Sequence, residues 1–114
     1  MTERVAIVGS RGFADRSMVE AYIYDLDPSV VIVTGGAGGV DTWALEYAEK
    51  GGHPTELYQA DWQRYGKRAG VLRSGIIVAR ADRVVAFWDG ASKGTRHTID
   101  LALASGVDLE VRFA

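Results

Sequence analysis

Three times along this chain a short apolar run, dense in valine or isoleucine, ends at a glycine-bearing turn and passes into a segment of helical period. Arg4-Val5-Ala6-Ile7-Val8 stops at Gly9, Val30-Val31-Ile32-Val33 stops ahead of Gly35-Gly36, and the run from Arg83 to Trp88 stops ahead of Gly90. Strands apolar at nearly every position are covered on both faces, which is the habit of parallel sheets. Parallel neighbours need a crossover long enough to hold a helix. The pattern therefore predicts an α/β fold.

The remaining punctuation fits the same plan. Asp15 is placed to cap a first helix whose apolar positions, Met18, Val19, Tyr22, Ile23 and Leu26, recur at helical spacing, and Asp27-Pro28-Ser29 stops it. A second helix is expected over Asp41 to Lys50, closed by Gly51-Gly52, and a short strand over Thr55 to Tyr58. The polar and aromatic stretch from Asp61 to Gly70 reads as a loop or irregular turn. A helix from about Ala69 to Ala81, a strand from Arg83 to Trp88, a helix from Thr95 to Ser105 stopped by Gly106, and a strand from Val107 to Val111 complete the chain. Residues 1–114 are thus expected to form one domain, a single Rossmann-like three-layer sandwich around a five-stranded, mainly parallel sheet.

Composition narrows the function. Fourteen glycines stand where average usage gives about eight. The surplus falls after the first strand (Gly9, Gly12), the second (Gly35, Gly36, Gly38, Gly39) and the fourth (Gly90, Gly94), all carboxyl ends of strands, where open α/β sheets bind ligands. Glycine there lets the backbone approach a ligand closely, and the N–H groups opening the next helix suit an anion. Tight turns alone account for one such loop more easily than for three. The absence of cysteine excludes disulfides and thiolate chemistry, two distant histidines, His53 and His97, give no basis for a transition-metal site, and no apolar run approaches membrane-spanning length. A cytoplasmic protein without a membrane partner is expected.

Standard fingerprints do not match. Gly36-Ala37-Gly38 begins a GxGxxG, but Asp41 holds the third glycine's place, and no P-loop is present. Gly90-Ala91-Ser92-Lys93-Gly94 matches the GxSxG nucleophile elbow, yet its downstream His97 and Asp100 lie on the same following helix, the wrong order and position for a triad. Around the glycine loops, Arg11 and Arg73 are candidate phosphate ligands, since a guanidinium pairs with phosphate bidentately. Asp41 and Asp89 adjoin the loops and could bond ribose hydroxyls, hold Mg²⁺ or cap helices, capping being favoured for Asp41. Arg64, Lys67 and Arg68 concentrate positive charge beside Trp62 and Tyr65, which with Trp88 are candidate stacking rings, while Arg80 and Arg83 read as a solvated face and His53 as a surface turn residue.

Taken together, Gly9-Ser10-Arg11-Gly12-Phe13 with Asp15, Thr34 to Thr42 with Ala44, Asp61-Trp62 through Tyr65-Gly66 and Ala69-Gly70 to Arg73, and Phe87 to Gly90 with Ser92 to Thr95 resemble the SLOG superfamily, specifically its small YspA/YpsA-related branch. The resemblance implies a pocket for nucleotides or nucleotide-derived molecules at the strand carboxyl ends. Relatives in that superfamily include LOG phosphoribohydrolases, which cleave the N-glycosidic bond of a nucleoside 5′-monophosphate, DprA/Smf proteins, which bind single-stranded DNA, and sensor domains. In the phosphoribohydrolases a PGGxGTxxE motif supplies a catalytic Glu; Thr98 stands in its place here, while Arg73 matches the arginine of those enzymes and Ser74 replaces the branch's usual Asn.

The expected function is therefore binding or sensing of a nucleotide-type ligand by Gly9, Ser10, Arg11, Gly35, Gly36, Ala37, Gly38, Gly39, Asp41, Arg73, Ser92, Gly94 and Thr95, with no required cofactor and Mg²⁺ allowed. One alternative is N-glycoside hydrolysis with Arg73, Asp41 or Asp89 as the catalytic candidates. Single-strand nucleic-acid binding ranks last because the formal charge is −2. The helix near 69–81 carries Val71, Leu72, Ile76, Ile77 and Val78 on more than one face, which fits a homodimer.

Overall fold

The valine-rich runs pair into one sheet. In the computed structural model, which describes residues 2–114, strands β1 (Arg4–Gly9), β2 (Val31–Thr34), β3 (Thr55–Leu57), β4 (Arg83–Phe87) and β5 (Asp108–Arg112) lie in the order β3-β2-β1-β4-β5, every neighbouring pair parallel. Helices α1 (Arg16–Asp25), α2 (Val40–Lys50), α4 (Ala69–Arg80) and α5 (Lys93–Ser105) make the crossovers, and a four-residue helix α3 (Trp62–Tyr65) precedes α4. The α/β sandwich read from the sequence is the observed one, with the sheet wholly parallel.

Side chains of each central strand alternate between two cores, as the pleat requires. Val5 and Ile7, Ile32, and Val85 and Phe87 face one cluster with Val19, Ile23 and Tyr47 of α1 and α2. Ala6 and Val8, Val31 and Val33, and Val84 and Ala86 face the other with Ile77, Val78, Ile99 and Ala102 of α4 and α5. The chain winds outward from β1 in one direction through β2 and β3, then returns to start β4 on β1's other side. The crevice between β1 and β4 is thus the topological switch point, where such sheets open a ligand site at their carboxyl edge.

Several local expectations are corrected. The stretch 61–70 is helical, not a loop: the Asp61 carboxylate accepts from Arg64 N at 3.1 Å and caps α3, and Gly66, at φ +55°, turns the chain into a 3₁₀ turn over Gly66–Arg68 that runs on into α4. His53 is not a surface turn residue. It is buried, with Nδ1 2.9 Å from the Val30 carbonyl and Nε2 3.2 Å from that of Ile23, and so ties the ends of α1 and β2 to the turn after α2. Arg80 and Arg83 are ion-paired rather than merely solvated: Arg80 meets Glu56, which also pairs with Arg4 at 2.7 Å, and Arg83 meets Asp108 on the adjacent strand. Helix α5 begins two residues earlier than Thr95 because Ser92 caps it.

Candidate functional site

A cavity of about 710 Å³ opens at the switch point, within the ~300–1,000 Å³ span of small-ligand sites. The ends of β1 and the loops after β1, β2 and β4 contribute Gly9, Arg11, Ala37 and Asp89. One wall is α3 and the first turns of α4, with Trp62, Lys67, Val71 and Arg73; the other is the start of α5, with Lys93, Gly94, His97 and Thr98.

The three loops are stitched to one another. Ser10, almost fully buried, donates its N–H to the Phe87 carbonyl at 3.0 Å and accepts from Asp89 N at 3.2 Å, and its hydroxyl lies 3.4 Å from that of Thr95. The loop after β2 passes so close to the first that a Cβ on Gly39, itself at φ +74°, would stand 2.8 Å from the Arg11 backbone. Arg73 reaches from α4 to donate to the Gly35 carbonyl at 3.2 Å, and a Cβ on Gly35 would sit 2.7 Å from its Cδ. Gly39 is thus required by the protein's own packing, whereas a side chain at Gly35 would displace the Arg73 side chain from its place.

The two carboxylates differ in state. Asp41 is not the cap of α2, a place held by Gly39; it lies at the second helical position and turns back to accept from Ala37 N at 3.2 Å. Burial pushes its carboxyl up to about 6, against the opposing pull of that N–H and of the Arg73 charge. Asp89 behaves oppositely. It accepts from Ser92 N at 2.8 Å and Ala91 N at 2.9 Å, and these bonds hold it below the ordinary carboxylate range. At the position of the absent Glu, Thr98 Oγ1 lies 3.2 Å from both Ser74 Oγ and the Gly94 carbonyl, a neutral hydroxyl cluster.

Of the residues singled out from the sequence, Gly9, Arg11, Ala37, Asp41, Arg73, Ser92, Gly94, Thr95 and Asp89 line the cavity. Ser10, Gly35, Gly36, Gly38 and Gly39 do not line it, and all but Gly38 shape the loops behind it. Among the stacking candidates Trp62 lines the cavity, whereas Tyr65 packs under Arg64 and Trp88 donates to the Ser92 carbonyl and packs on Phe113. Lys93 lies within the Ser92 to Thr95 loop expected to form the pocket, while the sequence gives no individual binding role to Lys93, His97 or Val71. The position of Lys93 between Ser92 and Gly94 is the available signal, and in the sequence His97 stands out only beside the GxSxG match. Arg11, Lys67, Arg73 and Lys93 against Asp41 and Asp89 make the cavity cationic in a chain of formal charge −2. Among the described residues, no three His, Asp or Glu side chains gather as a metal site, and no helix is long and apolar enough to cross a membrane.

Known proteins match this arrangement. The model of the YspA, cpYpsA-related SLOG family (YAcAr) matches residues 3–65. The Gene 61 protein of Mycobacterium phage D29 is 42% identical over 114 aligned residues covering 91% of each chain. DNA processing protein A (DprA) from Streptococcus pneumoniae superposes with a TM-score of 0.84 at 25% identity, over 96% of this chain and 50% of that one. DNA processing protein A from Helicobacter pylori, solved for its single-stranded DNA binding mode, superposes with a TM-score of 0.77 at 23% identity, over 96% of this chain and 64% of that one. This chain therefore spans about half of the pneumococcal protein. The match over residues 3–65, more than half the sequence, makes the chain a member of the YspA, cpYpsA-related SLOG family.

Proposed function

We propose that the protein binds a nucleotide or nucleotide-derived small molecule in the cavity at the switch point, with its phosphate among Arg11, Arg73, Lys93 and the first N–H groups of α5. The cationic lining carries this reading: Arg11, Lys67, Arg73 and Lys93 face one cavity in a chain of formal charge −2, and two glycines agree with it. Gly12 and Gly94 line the cavity, neither has a positive φ, and a Cβ on either would meet no protein atom closer than 3.8 Å. The fold has no use for glycine at these two places, and at Gly94, in the first turn of α5, glycine costs up to about 1 kcal/mol relative to alanine. A ligand that must reach the backbone supplies the reason.

Thermal-shift measurements with AMP, ADP-ribose, NAD and cyclic dinucleotides test the proposal. A ligand present at a hundred times its Kd adds about 2.7 kcal/mol of stability, and Arg73→Ala is expected to abolish the shift. A folded protein that responds to none of these compounds contradicts the reading.

A second reading, single-strand nucleic-acid binding, gains support from the likeness to the two DprA structures, one of them solved for that activity, and from exposed Trp62, Tyr65, Arg64, Lys67 and Arg68 beside the cavity. Its mark is affinity for oligonucleotides that falls steeply with salt. Hydrolysis of an N-glycoside is weakened by the hydroxyl cluster at Thr98, which supplies no carboxylate where the phosphoribohydrolases have their Glu. Exposed Val71, Leu72 and Ile76 on α4 keep a homodimer within the proposal, with sedimentation equilibrium as its check.

A further inference from the structure

Two rings, Trp62 and His97, line the cavity from opposite walls. Trp62 is 56% exposed although it is among the largest apolar side chains available for burial. Its ring extends over the first turn of α4, where a Cβ on Gly70 would stand 3.4 Å from Cη2, so the absence of a side chain at Gly70 leaves the indole its seat. The short helix that carries it is fixed at both ends, by the Asp61 cap and by the bond from Gly66 N to the Trp62 carbonyl. Trp62 is therefore held in place while still presenting bare ring surface at the cavity mouth. On the opposite wall His97 lines the same cavity from α5, and its Nε2 is buried with no hydrogen-bond partner among the described residues. Buried polar atoms are normally paired, so this nitrogen lacks a partner that the protein does not supply.

A stacking surface on one wall and an unpaired ring nitrogen on the other, above a cationic floor, match the parts of a mononucleotide: a flat base with polar edges joined to a phosphate. Resting on the nucleotide reading above, we propose that Trp62 and His97 form a nucleobase subsite, Trp62 stacking on the base and the His97 ring turning so that Nε2, shielded in the unliganded protein, meets the base edge, so that the ligand is a nucleoside 5′-phosphate rather than a sugar phosphate. Val71 and Ile77 supply the apolar surroundings that such a base requires.

Titration calorimetry on the full chain separates the two levels of the claim, with AMP, GMP, CMP and UMP compared against ribose 5-phosphate and a thymidine oligonucleotide. At least one mononucleotide binds roughly ten- to a hundred-fold more tightly than ribose 5-phosphate, the range that one base–aromatic stack gives. Trp62→Ala removes that advantage, so that mononucleotides and ribose 5-phosphate bind the variant about equally, whereas Trp62→Phe retains most of it. His97→Ala alters the order of preference among the four bases, which a purely structural role would not. Equal affinity for mononucleotides and ribose 5-phosphate, or a nucleotide advantage indifferent to Trp62→Ala, overturns the base subsite and leaves phosphate binding standing. Binding confined to the oligonucleotide overturns the mononucleotide subsite. Failure of every phosphate compound to bind the wild-type chain overturns both levels.

Discussion

Asp41 and Arg73 set the character of the cavity floor. The Asp41 carboxyl ionises at about 6 in the folded protein and near its ordinary 3.8 when unfolded, so between these values the folded state holds a proton that the unfolded state has released. Stability accordingly falls as pH rises through that window, by about 3 kcal/mol for a shift of this size. Asp41→Asn cannot ionise and keeps an acceptor for Ala37 N. It is expected to gain about 2.5 kcal/mol relative to wild type between pH ~4 and pH ~7.5, read from urea unfolding at the two ends. A pH-independent offset between the two proteins contradicts the assignment. The same residue shows how far a sequence carries at this scale: its place beside a glycine loop was legible, but its turn back into that loop depends on the path of residues 35–39 and on Arg73, 32 positions away in the chain.

Elements were more legible than residues. Each glycine loop follows a strand whose apolar run is unmistakable, and in a parallel sheet all such loops share one edge, so the edge followed from chain order alone. Which glycines face the cavity did not follow, because Gly35 is used by Arg73 and Gly39 by Arg11, contacts made only once the elements pack. The helical nature of 61–68 was hidden for a different reason: a four-residue helix shows no period, and only the Asp61 cap marked it. His53 was hidden because its partners, the carbonyls of Val30 and Ile23, lie 23 and 30 positions away. Gly94→Ala places a better helix former in open space in the first turn of α5 and is expected to raise stability by about 0.5–1 kcal/mol. The same change is expected to weaken AMP binding by putting a methyl group where phosphate approaches the backbone. Thermal unfolding and calorimetry on one variant check both, and unchanged affinity contradicts the role given to Gly94.

Across the whole molecule, the order β3-β2-β1-β4-β5 puts the three loops at a single switch point, and four cations gather there although the chain is net acidic. The opposite edge, where the amino ends of the strands meet the turns at 28–30, 52–54 and 81–83, carries a shallow hollow bordered by Glu3, Arg4 and Asp82. That contrast makes a two-dimensional amide NMR titration of the labelled protein with AMP decisive for ligand binding at the switch point. The account predicts saturable shifts concentrated at 9–13, 35–41 and 92–98, with the amides of Gly12 and Gly94 among the most displaced. Saturable shifts confined to the opposite edge, or none at millimolar AMP, would contradict it.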